Sequence, residues 1–211
     1  MSGHPNALKI LELLEKEYPR APKTALRYRS PLEMLVSTIL SAQCTDARVN
    51  IVTRDLFGKY RRVEDYAGAD IKELEQDIKS TGFYRNKARN IKAAADMIVR
   101  EYGGKVPDTM DDLLLLPGVA RKTANIVLFN AFNKVDGIAV DTHVRRLSYR
   151  MGLTGSKDPV KIEQDLMNTY PRGDWGDINR VFVEHGRRVC AARKALCGGC
   201  VVAGLCPRVG V

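Results

Sequence analysis

Apolar side chains recur along most of this sequence at every third or fourth position rather than every second one. Leu8, Ile10, Leu11 and Leu14 precede Tyr18-Pro19, and Ile91, Ala94, Ala95 and Ile98 precede Gly103-Gly104. That period is helical. Helix starts are marked as well: Ser30-Pro31-Leu32-Glu33 combines a capping serine, a proline in the first turn and a glutamate three residues after the cap. Asp70 with Glu73 and Thr109 with Asp112 repeat the signal more weakly. Gly58, Gly82, Gly103-Gly104 and Gly152 each follow a periodic segment and predict helix ends. The pattern predicts an all-α protein of about ten short helices. Val135 to Val140 is the one stretch that could be extended, and it reads as a linker and a candidate domain boundary.

Composition bounds the picture further. With 211 residues, 45% of them hydrophobic, the chain can bury a core in one domain or two small ones, which excludes disorder throughout. Lys and Arg number 34 against 25 Asp and Glu, a formal charge of +9, so an anionic partner is expected and nucleic acid leads. From Gly186 to Val211 the basic residues are Arg187, Arg188, Arg193, Lys194 and Arg208, without one acid. No apolar run approaches the roughly 18 residues of a membrane span. The N-terminus, Met-Ser-Gly-His-Pro-Asn, lacks the basic and apolar regions of a secretory signal. A soluble, intracellular, cytoplasmic protein is expected, in which a disulfide framework has lost its usual compartment.

Four of the five cysteines, Cys190, Cys197, Cys200 and Cys206, fall close together near the C-terminal end, with Gly198-Gly199 inside the tightest interval. Such a loop can fold around one centre. Four thiolates suit either tetrahedral zinc or an iron–sulfur cluster, and the spacing alone does not choose. Cys44 stands apart in an apolar helical context and reads as packed.

Leu115 to Ala124 reads as a tight turn between two helices, in which Pro117 ends the first and Gly118 allows close backbone approach. Amides at the start of the second helix, aided by its dipole, would suit a phosphate; an ordinary helical hairpin is the plainer reading.

The run Leu116-Pro117-Gly118-Val119-Ala120-Arg121-Lys122-Thr123-Ala124-Asn125, followed by Val140-Asp141-Thr142-His143 and the four-cysteine loop, resembles the endonuclease III family of DNA glycosylases. Leu40-Ser41-Ala42-Gln43-Cys44-Thr45-Asp46 matches too, so the resemblance runs from residue 40 to 206. It implies an all-α fold of two helical domains. One is a helical barrel at about 24–135, with a helix-hairpin-helix at about 111–132. The other is built from both termini, 1–23 and 136–211, and carries a [4Fe–4S] cluster on the loop 190–206. The choice of iron–sulfur over zinc therefore comes from the resemblance.

The resemblance also implies base excision repair of double-stranded DNA carrying a damaged base, expected to be an oxidised pyrimidine, or an abasic site, by a monomeric enzyme. Lys122 would attack C1′ of the damaged nucleotide, displace the base and form a Schiff base that undergoes β-elimination, nicking 3′ to the lesion. An amine suits this because its iminium acidifies the C2′ proton. Asp141 would either help deprotonate Lys122 or stabilise the cationic sugar; without the resemblance, Asp141-Thr142 reads as a helix cap. Gln43 would fill the gap left by the flipped nucleotide. The loop around Phe83 would wedge the opposite strand, although Phe83 could equally be core. Gly118, Ala120 and Arg121 at the hairpin, His143, and Arg193 with Lys194 in the cysteine loop complete the expected DNA contacts.

Two positions depart from the family. Ala120 stands where many members have glycine, which would cost roughly 1–2 kcal/mol if the position needs positive φ. Leu114 stands where some relatives carry an acid. Two rivals compete: a monofunctional mismatch glycosylase, which commonly lacks the hairpin lysine, and a non-enzymatic iron–sulfur DNA-binding module, which would not require Lys122 and Asp141 together.

Overall fold

The computed structural model describes residues 4–211. Met1–Gly3, on which part of the N-terminal reading rests, lie outside the described residues. The all-α expectation holds: the described residues form eleven α-helices and three short 3-10 turns, with a single isolated β-bridge between Cys190 and Ala195. No described helix is long and apolar enough to cross a membrane.

The chain divides into two compact units, one of residues 24–134 and one that joins 1–23 to 135–211. The N-terminal helix α1 (Ala7–Glu17) belongs to the second unit. The first unit contains α2 (Pro31–Leu40), α3 (Asp46–Lys59), α4 (Val63–Ala67), α5 (Ile71–Asp77), α6 (Tyr84–Tyr102), α7 (Met110–Leu115) and α8 (Arg121–Phe132). These helices enclose a core that includes Leu35, Leu40, Tyr66, Leu74, Ile98 and Leu113. The second unit adds α9 (Thr142–Arg150), α10 (Pro159–Thr169) and α11 (Trp175–Arg188). There Ile10 and Leu14 of α1 pack with Leu147, Leu166 and Phe182, which ties the two ends of the sequence into one core.

Local chemistry explains several helix boundaries. Ser30 Oγ accepts the Glu33 N–H and Pro31 occupies the first turn of α2. Glu33 departs from a full capping box, because its carboxylate accepts the Arg29 N–H at 2.6 Å and pairs with the Arg29 guanidinium. Asp70 accepts two first-turn amides of α5, and Thr109 accepts the Asp112 N–H at the start of α7. Gly103 closes α6 in the left-handed conformation expected of a C-terminal glycine.

Gly58 does not end its helix. It lies inside the last turn of α3, which stops at Tyr60, where the chain becomes extended and the Tyr60 ring stacks on Tyr66 with centroids 4.9 Å apart. Tertiary burial of an aromatic, not the glycine, sets that boundary. The helices are also not uniformly short: α6 runs 19 residues, since no glycine or proline interrupts it before Gly103.

Candidate active site and cysteine loop

The turn between α7 and α8 is built on one glycine. Gly118 has φ +81, and a Cβ placed there would lie 2.8 Å from both Cβ and Nδ2 of Asn90 on α6. Both the backbone conformation and the space demand glycine. Ala120 raises no such conflict. It is the N-cap of α8 with φ −96 and ψ 169, extended backbone that alanine adopts without strain.

No side chain caps α8, and its first turn contains no acid. The N-cap residue thus offers no side-chain acceptor and the first turn no carboxylate, the situation in which a helix N-terminus can receive an anion. Lys122 sits in that first turn, exposed, with no ion pair or hydrogen bond among the described residues. Arg121 precedes it, half-buried and engaged with its surroundings. Leu114 is 40% exposed on α7 and supplies no acid to the hairpin.

Asp141 belongs to the other unit and is the N-cap of α9. Its Oδ1 accepts the Val144 N–H at 2.8 Å, so the helix-cap role is real; Oδ2 has no hydrogen bond among the described residues. His143 is half-buried. Its Nδ1 lies 3.1 Å from Arg146 Nη2, which also donates to Gly186 O at 2.9 Å, and a Cβ on Gly186 would fall 2.5 Å from that Nδ1. Gly186 thus lets α9 and α11 meet around the imidazole, whose pKa burial pushes below the usual histidine range.

Gln43 and Phe83 occupy two separate loops of the first unit. Both are exposed, and both are non-glycine residues in the left-handed region, at φ 51 and φ 47. Phe83 is 63% exposed, which removes the core alternative for its ring. Cys44 beside Gln43 is partly buried against the core, as its apolar context implies. Sequence reasoning missed the group beneath these loops: Lys87, buried, donates to Leu40 O at 2.7 Å and to Thr81 O at 2.8 Å. A signal for it exists, because Lys87 falls on the same helical stripe as the buried Ile91, Ala94, Ala95 and Ile98.

The four clustered cysteines are free thiols, each half-buried, and all four line one small apolar cavity with Met151, His185 and Val202 among its other walls. Among the described residues, no three His, Cys, Asp or Glu side chains converge as ligands of one metal ion. Burial and the neighbouring thiols push Cys200 and Cys206 above the usual thiol range, so a cationic centre is what would bring them to thiolates. Arg150, also missed in the sequence, holds the first segment of the loop. Its guanidinium donates to Ala191 O at 2.8 Å and Ala192 O at 3.0 Å, with Cys190 Sγ 3.4 Å away. Arg193 and Lys194 project from this loop, exposed and without an ion pair among the described residues.

Comparison with known proteins agrees with these features. The pattern of the HhH-GPD superfamily base excision DNA repair proteins matches residues 36–172. Endonuclease III of a Synechocystis species is 54% identical over 201 residues, 95% of this chain and 91% of that protein. Endonuclease III of Bacillus subtilis is 47% identical over 197 residues, 93% of this chain and 89% of that protein. The fold superposes on a trapped covalent endonuclease III–DNA intermediate with a TM-score of 0.92 and 42% identity, covering 99% of this chain and 97% of the other. The exposed hairpin lysine, the aspartate-capped helix and the four-cysteine loop thus stand in a chain that belongs to the endonuclease III family of the HhH-GPD superfamily.

Proposed function

We propose that the protein is a bifunctional DNA glycosylase and abasic-site lyase that removes oxidised pyrimidines from duplex DNA. The observation that carries this reading is the position of Lys122. Its amine is exposed, tied to no acid among the described residues, and mounted on the first turn of a helix whose uncapped amides suit the adjoining phosphate.

In the reaction, Nζ of Lys122 forms a bond to C1′ as the glycosidic bond breaks, and the base leaves with the electron pair and takes up a proton. Ring opening and loss of a proton from nitrogen give the iminium. That iminium acidifies the C2′ proton, whose removal expels the 3′ phosphate. Asp141 is assigned the acid–base or electrostatic part, accepting the lysine proton or stabilising the cationic sugar through Oδ2 while Oδ1 holds the start of α9. A hydroxyl nucleophile would stop after base release, so the lysine is what makes the lyase step available.

Gln43 and Phe83 are assigned to the gap and the opposite strand once the nucleotide is flipped. Gly118, Ala120 and Arg121 receive the backbone at the hairpin. Arg193 and Lys194 meet phosphates from the cysteine loop, and His143 is assigned to the DNA from the start of α9. Cys190, Cys197, Cys200 and Cys206 would hold a [4Fe–4S] cluster. Four thiols lining one apolar cavity could each take one iron of such a centre. When bound, the cluster supplies scaffolding for the basic loop rather than a step of the reaction. A genomic DNA substrate implies an intracellular enzyme. Borohydride reduction on abasic-site DNA tests the reading, since it must fix the DNA to Lys122.

A further inference from the structure

We propose that Lys87 is a positioning residue that locks the Gln43 and Phe83 loops together in the conformation that enters DNA. The inference rests on the assignment of those two residues to the DNA, and deepens it. Leu40 ends α2 three residues before Gln43, and Thr81 lies two residues before Phe83. One ammonium group donates to the carbonyls of both, at 2.7 and 2.8 Å.

Two physical costs oppose a lysine at this position. It lies in the first turn of α6, where a cation works against the helix dipole. It is 4% exposed, and no acid pairs with it among the described residues. That burial is what pushes its pKa below the usual lysine range. An apolar residue would fit the stripe formed by Ile91 and Ala94 without either of these costs. What lysine adds is the double carbonyl contact.

The loops need such a contact. Gln43 and Phe83 both hold left-handed backbone conformations that their side chains do not favour, and both are exposed, so no burial of their own compensates. Asn133, the remaining non-glycine residue of this unit with positive φ, is an asparagine closing a helix, which tolerates that conformation. The same helix supports the hairpin one turn further on, where Asn90 lies against Gly118. The first two turns of α6 therefore brace three elements assigned to DNA, and Lys87 is the member that joins two of them.

The test uses the full chain with its cluster and compares wild type, Lys87→Met, Gln43→Ala and Phe83→Ala. Amide exchange is read at Ala42 and Cys44, at Thr81 and Gly82, and at Val127 and Leu128 of α8 as a control. Insertion is followed in stopped flow by 2-aminopurine placed opposite an abasic analogue in duplex DNA. Lys87→Met is expected to speed exchange in both loops about tenfold, to leave α8 unchanged, and to slow the fluorescence step by a similar factor, the size of a lost charged hydrogen bond. Exchange that rises in one loop only, or equally across α8, overturns the clamp. So does an unchanged fluorescence step in Lys87→Met where Gln43→Ala and Phe83→Ala slow it. If the two alanine variants leave that step unaltered, the insertion assignment fails instead, and exchange alone then decides whether the loops are joined. Should Lys87→Met not fold, Lys87→Gln, whose shorter side chain does not reproduce the double contact of the ammonium, is expected to loosen one or both loops and leave α8 unchanged, and equal loosening of α8, or no loosening of either loop, contradicts the proposal.

Discussion

Asn90 packs so closely on Gly118 that a Cβ at the glycine would stand 2.8 Å from the asparagine's own Cβ. The contact fixes the hairpin turn from behind, through a helix that contributes nothing to the turn itself. It also explains why the two small residues of the hairpin are not equivalent.

Gly118→Ala must strain the backbone at φ +81 and displace Asn90. A loss of about 2–4 kcal/mol in unfolding free energy is expected, from the left-handed penalty plus overpacking, together with weaker DNA binding. Ala120→Gly should change stability by less than about 1 kcal/mol, because the N-cap is extended. Denaturant melts of the two variants check this. Equal losses would show that neither the positive φ nor the Asn90 contact governs the turn.

Asp141 serves two roles that one pair of substitutions separates. Asp141→Asn keeps an oxygen for the Val144 N–H and should alter stability by only a few tenths of a kcal/mol, whereas Asp141→Ala should cost about 1 kcal/mol. Both lose the carboxylate charge, so both should lower the single-turnover rate of base release by about 10²-fold or more. An Asp141→Asn protein with wild-type rates would reduce the residue to a cap.

Arg193 and Lys194 are predicted to act through phosphate alone. Replacing either with alanine should reduce the slope of log affinity against log salt by about 0.9 and leave the preference for damaged over undamaged DNA unchanged. Binding isotherms at several salt concentrations measure both. A change in lesion preference with an unchanged slope would contradict the assignment.

Arg150→Met removes the donors that hold Ala191 O and Ala192 O. Ala191 is half-buried and Ala192 exposed, so water partly replaces the lost donors and the cost is that of two ordinary hydrogen bonds, about 1 kcal/mol each, concentrated on the segment that follows Cys190. The variant is expected to lose iron to a chelator faster than wild type, seen as decay of visible absorbance. Equal retention would mean that the cysteine loop does not depend on this arginine.

What the sequence made legible was local. The caps at Ser30, Asp70 and Thr109 are written within three or four residues and their side chains accept first-turn amides as read, although Glu33 turns to Arg29 instead of closing a capping box. The helical period likewise reports the burial of Ile10, Leu11 and Leu14 without knowledge of partners, although Leu8, off that stripe, is exposed. Three features escaped because they depend on packing between elements rather than on a motif within one. Gly58 looked like a stop, yet the burial of Tyr60 against Tyr66 carries α3 past it. Phe83 stood between core and surface, and only its exposure decides between them. Lys87 read as one more charge, although its place on the apolar stripe of α6 was visible; the carbonyls it joins lie 6 and 47 residues away. The departure at Ala120 also needed the structure, since only its backbone angles show that alanine is unstrained there.

Lys122 as the covalent nucleophile is the assignment on which the rest depends. Borohydride reduction of wild-type protein with abasic-site duplex DNA, set beside Lys122→Gln under the same conditions, decides it. A nucleophilic Lys122 must give a protein–DNA adduct in the wild type whose cross-linked peptide contains that lysine, and the adduct must disappear in the variant. An adduct that persists in Lys122→Gln, or its absence from the wild type, would contradict the assignment.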